Sequence, residues 1–285
     1  RRFWKDMGKV CKHCHKPPPP PSFERFRQHY AVMGGYGNHE VKGYKNLSEL
    51  EQKMGSIMLR IERDVLDLPP VQHISAEVEL SPRAMAIYRR LHRQLVVEVE
   101  EGKVTASNAL VRLLRLSQIT GGNLSLDSGG QQTIDTAKQD WLADWFEDIG
   151  GEPVVVFCRF QADLAAVALA AKRAGLACLE QSGRARELAA WQAGGGQVLA
   201  VQVQAGGEGV DLTRARLCVY YSVGYSLGDY EQSLARLHRP GQGRSVTYYH
   251  LAAKGTVDQD VYQALDRRRD VVEAVLEGLR AKETS

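Results

Sequence analysis

No stretch of this sequence approaches the roughly 20 apolar residues that a membrane span requires, and the opening RRFWKDMGK has no apolar core of the signal-peptide kind. The expectation is a protein neither inserted nor secreted. Cysteine is scarce and odd in number: Cys11, Cys14, Cys158, Cys178 and Cys218 are scattered over 285 residues. That argues against a disulfide framework and for a reducing, cytoplasmic compartment. An excess of one charge is also lacking, since 37 Lys and Arg face 34 Asp and Glu for a net charge of +3. So small an imbalance points to no nucleic-acid partner by itself, and any such partner has to be argued from motifs. A phosphate loop is missing too. It would read G-x-x-x-x-G-K-[ST], but Gly8-Lys9 and Gly102-Lys103 are each followed by valine and lack the upstream glycine, and no apolar strand ends in Asp-Glu. The chain opens on Arg1 rather than methionine, so a longer parent chain is expected.

What is present suits a soluble globular protein of one large or two modest domains: 44% of residues are hydrophobic and 25% charged. The carboxyl-terminal half alternates apolar β-branched runs with helical patterns across short Gly-containing connections, the signature of a parallel sheet with crossover helices. Strands are expected at 154–158, 176–179, 198–203, 217–221 and 246–251. Helices are expected at about 135–148, 161–174 (closed by Gly175), 185–193, 228–239, 256–266 and 268–280. The amino-terminal half shows no such alternation, and helical patterns at about 47–62, 81–101 and 105–119 dominate it. The expected organisation is a mainly helical segment over 1–124, a polar linker at 125–133 and an α/β domain over 134–285. Pro17 to Pro21 must be extended and read as a stiff surface spacer.

The sharpest local signal is YSLGDYEQSLARLHRPGQ, residues 225–242. Ser226 with Asp229 resembles a capping box and Pro240-Gly241 cannot continue a helix, so a helix is bounded at both ends. At about 100° per residue, Gln232, Arg236 and Arg239 fall within roughly 60° of one another, while Leu234 and Leu237 point the opposite way. A guanidinium is a permanent forked donor matched to phosphate oxygens, and phosphoryl transfer is catalysed largely by neutralising charge on those oxygens. The same spacing also describes the solvated face of any amphipathic helix. Upstream, AGGEGVDLTRA, residues 205–215, packs three glycines into five residues after an apolar strand. Such a turn lets backbone amides approach a phosphate, and Asp211 could take a ribose hydroxyl or hold the loop. It is not a dinucleotide fingerprint, since Leu212 stands where G-x-G-x-x-G requires its last glycine.

Strand VVVFC, a Gly-rich turn after VLAVQV and a Q-x-x-x-R-x-x-R helix, in that order, resemble the second RecA-like lobe of superfamily 2 ATPases. The tail HRPGQ, residues 238–242, is similar to the Swi/Snf family, whose last helicase motif runs approximately Q-A-x-G-R-x-H-R-x-G-Q. The match holds at Gln232, Arg236, His238, Arg239, Gly241 and Gln242, and departs at Ser233 and Ala235. MLRIERDVLDLPP (58–70), ELSPRAMAIY (79–88) and LVRLLRLSQITGG (110–122) resemble the family's segments leading into the second lobe, so the resemblance extends from about residue 45 onward.

The resemblance implies a RecA-like parallel sheet with flanking helices, and an ATP site between two lobes. The first lobe, missing from this sequence, would supply the phosphate loop and the acid that holds Mg2+. Arg236 and Arg239 would serve as arginine fingers, with Gln232, Gly207, Gly209 and Asp211 beside the nucleotide. Arg159, Gly183, Arg184, Gln202 and Gln204 would lie along double-stranded DNA, with Arg186 next to them. Gln202, Val203 and Gln204 stand where the family commonly has Ser-Thr-Arg, a departure on the DNA side. Two rivals are an RNA helicase lobe and a non-catalytic RecA-like interaction module. No metal is expected to be needed for folding. Cys11-x-x-Cys14 is half of a zinc site, but no second pair follows at zinc-finger spacing, and a polar loop accounts for it equally.

Overall fold

The computed structural model describes residues 23–34, 40–55, 67–100, 106–125, 130–203, 210–268, 271–272 and 274–275. The chain divides into two compact units, Arg1–Asp67 and Leu68–Ser285. In the first, helix α1 (Phe23–Tyr30) leads into strand β1 (Ala31–Gly34), which pairs antiparallel with β2 (Glu40–Tyr44), and helix α2 (Leu47–Gly55) follows. Asn46, in the left-handed region at φ 55, turns the chain from β2 into α2 and donates from Nδ2 to the His29 carbonyl at 2.9 Å. Glu49 accepts from both His29 and Lys53, which holds its carboxyl well below the usual range, at about 2.

The second unit is built on β3 (Val71–Val78), α3 (Pro82–Glu100), α4 (Ala106–Thr120), β4 (Asn123–Ser125), β5 (Gln131–Thr133), α5 (Ala137–Asp148), β6 (Val154–Cys158), α6 (Gln161–Arg173), β7 (Cys178–Gln181), α7 (Leu188–Gln192), β8 (Val198–Gln202), β9 (Leu217–Tyr220), α8 (Leu227–Leu237), β10 (Val246–Ala253) and α9 (Val257–Asp266). Six strands form one wholly parallel sheet in the order β3-β10-β9-β6-β8-β7, and β4 and β5 form a separate antiparallel pair.

The central strands read as unbroken apolar runs because both their faces are covered. Successive side chains alternate between two cores. Val155, Phe157, Leu199, Val201, Cys218 and Tyr220 pack with Leu113, Leu116, Trp191, Tyr230 and Leu265 on one face. Val154, Val156, Cys158, Val198, Ala200 and Val219 pack with Leu142, Phe146, Leu164 and Val167 on the other. The product is a three-layer RecA-like domain, with α3 and α4 packed into one of its two cores.

Several boundaries shift for identifiable reasons. Strand β6 and helix α5 begin or end within two residues of expectation, whereas β7 starts at Cys178 rather than Leu176. The cause is the close of α6. Gly175, at φ 71, donates to Lys172 O and Leu176 N is drawn back to Ala171 O at 2.8 Å, so Leu176 belongs to the cap. Helix α7 starts at Leu188, not 185, because Ala185 and Arg186 are turned back on β7: Ser182 N donates to Ala185 O, and Gln181 and Arg186 form a bridge.

The strand β3, within the segment read as helical, is a departure from expectation. Its pattern VQHISAEV mixes polar residues throughout because it is an edge strand, exposed over most of its length, yet it pairs with all eight residues of β10. The stretch expected as linker contributes Ser125 to β4 and residues 131–133 to β5. The continuations of the helices expected at 47–62 and 268–280 fall largely outside the described residues, as does Pro17 to Pro21. No described helix is long and apolar enough to cross a membrane.

One buried ion pair ties the layers together. Lys138 Nζ on α5 donates to Asp258 Oδ2 at 2.7 Å and to the Tyr221 carbonyl at 3.0 Å. Asp258 also accepts from Thr120 Oγ1 at 2.7 Å and from Ala253 N at 3.1 Å. Both charges are buried and hydrogen-bonded, so deleting one member leaves a buried, uncompensated charge. Lys138→Met is therefore expected to destabilise the fold by about 3–5 kcal/mol, measured as a lowered urea midpoint. A change below about 1 kcal/mol would show that the pair contributes nothing net.

Candidate functional site

In a parallel sheet, ligands meet the loops that leave the carboxyl ends of the strands. Here those loops follow β6, β7, β8 and β9, and they carry most of the residues singled out from sequence. Helix α8 enters from this edge. Its amino terminus is capped as expected, Ser226 Oγ accepting from Asp229 N at 3.2 Å. Three polar contacts seat it on the sheet: Tyr220 Oη with Ser233 Oγ at 2.6 Å, Tyr230 Oη with His250 Nε2 at 2.8 Å, and Tyr248 Oη donating to Leu234 O at 2.6 Å. Burial pushes the His250 imidazole down to about 4, with the neighbouring His73 adding to the effect, so the ring is held neutral.

The helix ends at Leu237, two residues earlier than expected. Pro240 disfavours helical backbone at Arg239, and His238 leaves the helix at φ −89, ψ 84. Arg236 is thus helical and Arg239 is not. Both are nonetheless bonded to residues 210–212, because the chain after the helix folds onto that segment. Leu212 N donates to Arg236 O at 3.1 Å, and Arg239 Nη1 approaches Val210 O at 3.5 Å. Gln242 Nε2 donates to Thr213 O at 3.2 Å and Ala215 O at 2.9 Å. His238 Nε2 lies 2.9 Å from Pro69 O, just ahead of β3. His238 and Gln242 of HRPGQ are therefore accounted for as a clasp.

Asp211 Oδ1 accepts from Thr213 N at 2.9 Å and from Thr213 Oγ1 at 2.7 Å. The Thr213 amide first, then its hydroxyl and the Arg239 charge, hold the Asp211 carboxyl below its ordinary range against desolvation. Of the two roles considered for it, Asp211 here holds the loop. Neither Arg236 nor Arg239 forms an ion pair among the described residues, and Arg236 Nε is buried with no hydrogen-bond partner. A buried guanidinium N–H without an acceptor is costly. Gln232 is exposed on the same helix. Gln204, Gly207 and Gly209 lie outside the described residues, as do Cys11 and Cys14. Among the described residues no group of three or more His, Cys, Asp or Glu is placed to hold a metal ion.

Comparison with known proteins follows from this arrangement. Residues 137–241 match the family described as helicase conserved C-terminal domain. The chromatin-remodelling ATPase INO80 of Cryptococcus neoformans is 32% identical over 79 residues, 28% of this chain and 4% of that protein. The matched segment is similar to the helicase carboxyl-terminal domain of Swi/Snf-type ATPases. Protein p41 of Acyrthosiphon pisum secondary endosymbiont phage 1 is 25% identical over 87% of this chain and 54% of its own length, so the chain spans about half of that relative. In fold, the lobe is similar to the C-terminal part of the Fun30 ATPase domain, with a TM-score of 0.60 at 15% identity over 76% of this chain and 99% of that one. It is also similar to the Sulfolobus solfataricus SWI2/SNF2 ATPase core in complex with dsDNA, with a TM-score of 0.55 at 20% identity over 91% of this chain and 57% of that one.

Along the sheet edge of the lobe, the remaining candidates differ in availability. Arg184, expected to be open to phosphates, is instead forked onto Glu180, with Nε to Oε1 at 2.8 Å and Nη2 to Oε2 at 2.9 Å. The pair is half exposed, so a competing phosphate oxygen displaces little stability. Gly183 and Arg186 are exposed and Gln202 is half-buried at the end of β8. Arg159 is placed by two features that the sequence did not reveal. Its guanidinium lies across Gly224, where a Cβ would come within 2.8 Å of Nη1. Its amide donates to Ser222 Oγ at 2.7 Å, and that hydroxyl donates in turn to Asp163 Oδ2 at 2.5 Å. An apolar strand followed by a serine and a glycine two residues on is the faint signal that could have found them.

Asp163 is buried, and its Oδ1 has no partner. Burial pushes its carboxyl up to about 6, against the Ser222 and Phe160 hydrogen bonds that lower it. Because the folded state favours the protonated acid, the associated stability is present below the ordinary value of 3.8 and is lost as pH rises through about 6. Asp163→Asn mimics the neutral form, so wild type should lose stability relative to the variant across that window in chemical denaturation. A pH-independent difference would place the titration elsewhere.

Proposed function

We propose that this chain is the carboxyl-terminal half of an ATP-dependent double-stranded DNA translocase or remodelling motor of Swi/Snf type, with Arg236 and Arg239 as the arginine fingers of an ATP site shared with a first lobe. The observation that carries the reading is a pair of arginines bonded to residues 210–212, neither ion-paired among the described residues and one with a buried orphan Nε. A triphosphate supplies the acceptors such donors lack, and charge spreading over its oxygens in phosphoryl transfer is what fixed guanidiniums stabilise. Gln232, Gly207 and Gly209 complete the proposed nucleotide contacts, with Asp211 shaping the loop. The first lobe would contribute the lysine loop and the acid for Mg2+. Arg159, Gly183, Arg184, Gln202 and Gln204 would track the phosphate backbone, giving binding that weakens steeply with salt and depends little on base sequence.

Support for DNA as the track comes from the Sulfolobus SWI2/SNF2 core, solved with dsDNA, and for ATP from the remodelling ATPases to which the 79-residue match belongs. In a protein holding both lobes, Arg239→Ala is expected to lower DNA-stimulated ATP hydrolysis by roughly 10³-fold or more. A near-normal rate would overturn the assignment. These 285 residues contain no phosphate loop, so the isolated chain is expected to hydrolyse no ATP in a steady-state phosphate-release assay with or without DNA. Turnover by the isolated chain would refute the shared-site reading.

A further inference from the structure

Helix α3 carries an imbalance that packing does not explain. From Pro82 to Val97 it holds Arg83, Arg89, Arg90 and Arg93 and no acidic residue. All four arginines are exposed, and none forms an ion pair among the described residues. Like charges at i and i+4, as at Arg89 and Arg93, disfavour a helix, and a merely solvated surface helix is normally laced with both signs. Arg89 and Arg93 face a cleft of about 550 Å³ at the start of α9, which Tyr88, His92, Thr256 and Asp260 also line. The cleft is built rather than incidental. Tyr88 is buried, and its hydroxyl accepts from Val257 N at 2.8 Å, fixing α3 against the first turn of α9. Among the described lining residues, two guanidiniums face the one carboxylate of Asp260, an excess of positive charge.

Its position selects the occupant. Because the sheet is wholly parallel, the turn between β10 and α9 emerges on the same edge as Arg159 at the end of β6. Only β9 separates β10 from β6, so at about 4.8 Å per strand the two ends lie roughly 10 Å apart. A nucleic-acid strand, with a charge every 3.4 Å or so, spans that distance in about three phosphates. We propose that the cleft between α3 and the start of α9 is a second phosphate seat for duplex DNA, extending the DNA track from the β6, β7 and β8 ends to the β10 side of the sheet. The inference rests on the reading of the chain as part of a DNA motor.

The test is binding of the full chain to a short fluorescent duplex of mixed sequence, titrated over a range of salt, with polyglutamate as competitor. Arg89→Ala/Arg93→Ala is expected to bind roughly ten-fold more weakly, with a log K against log salt slope shallower by about 2, one counterion-release increment per lost contact. Arg89→Lys/Arg93→Lys should recover most of both, since a phosphate seat needs charge more than fork geometry. Both substitutions are on the exposed face, and an unchanged thermal midpoint establishes that the variants are folded. If wild type binds duplex and the alanine variant matches it in affinity and slope, the second seat is overturned while the motor reading stands. If the variant loses polyglutamate binding but keeps duplex binding, the cleft is a seat for acidic peptide and the inference falls. Failure of wild type to bind duplex at all would take down the DNA reading itself.

Discussion

The rest of the site depends on the clasp between residues 210–216 and 236–242. Leu212, Thr213 and Ala215 on one strand of it are held by Arg236 O and the Gln242 side chain on the other. Without those bonds, Arg239, which lies past the end of α8, would have no fixed direction. The clasp joins the end of an amphipathic helix to residues 210–215 through backbone and side-chain hydrogen bonds. That is the mechanical requirement for any protein in which events at a nucleotide are to be felt along a polymer track.

Polar groups are spent differently in the core and at the edge. In the interior, Lys138, Asp258 and Thr120 form a closed network with its hydrogen-bonding capacity used internally, which locks α4, α5 and α9 together. Outside that network saturation is incomplete: among the described residues, Glu152 Oε2, Asp163 Oδ1, Gln181 Oε1 and Arg236 Nε are buried without hydrogen-bond partners. Two of the four, on Asp163 and Gln181, sit where loops leave the sheet, and a buried polar atom without a partner is costly to stability.

Much of this was legible beforehand, for physical reasons that differ element by element. The central strands were plain because burial on both faces writes an unbroken apolar run, as in VVVFC. Strand β3 was not, because an edge strand exposed on much of its surface has no such run and its assignment depends on pairing with β10, far away in sequence. The end of α8 was misplaced by two residues because helical periodicity continues through His238 and Arg239 while Pro240 already excludes helical backbone there. Arg236 and Arg239 were expected on one helical face, yet only Arg236 is helical. The occupation of Arg184 by Glu180 and the bed that Gly224 makes for Arg159 are tertiary facts with only the weakest trace in local sequence.

The placement of β3 bears on how this lobe can be isolated. The segment recognisable by family comparison begins at residue 137 and stops at 241, which omits both β3 and β10. A fragment cut to those limits would lose two of six strands, and one begun at 134 would keep β10 but strip its outer neighbour. Eight consecutive backbone positions, nearly all with buried side chains, would then become a free sheet margin, open to pairing with any extended chain it met. The foldable piece starts before the sequence that gives the lobe its name.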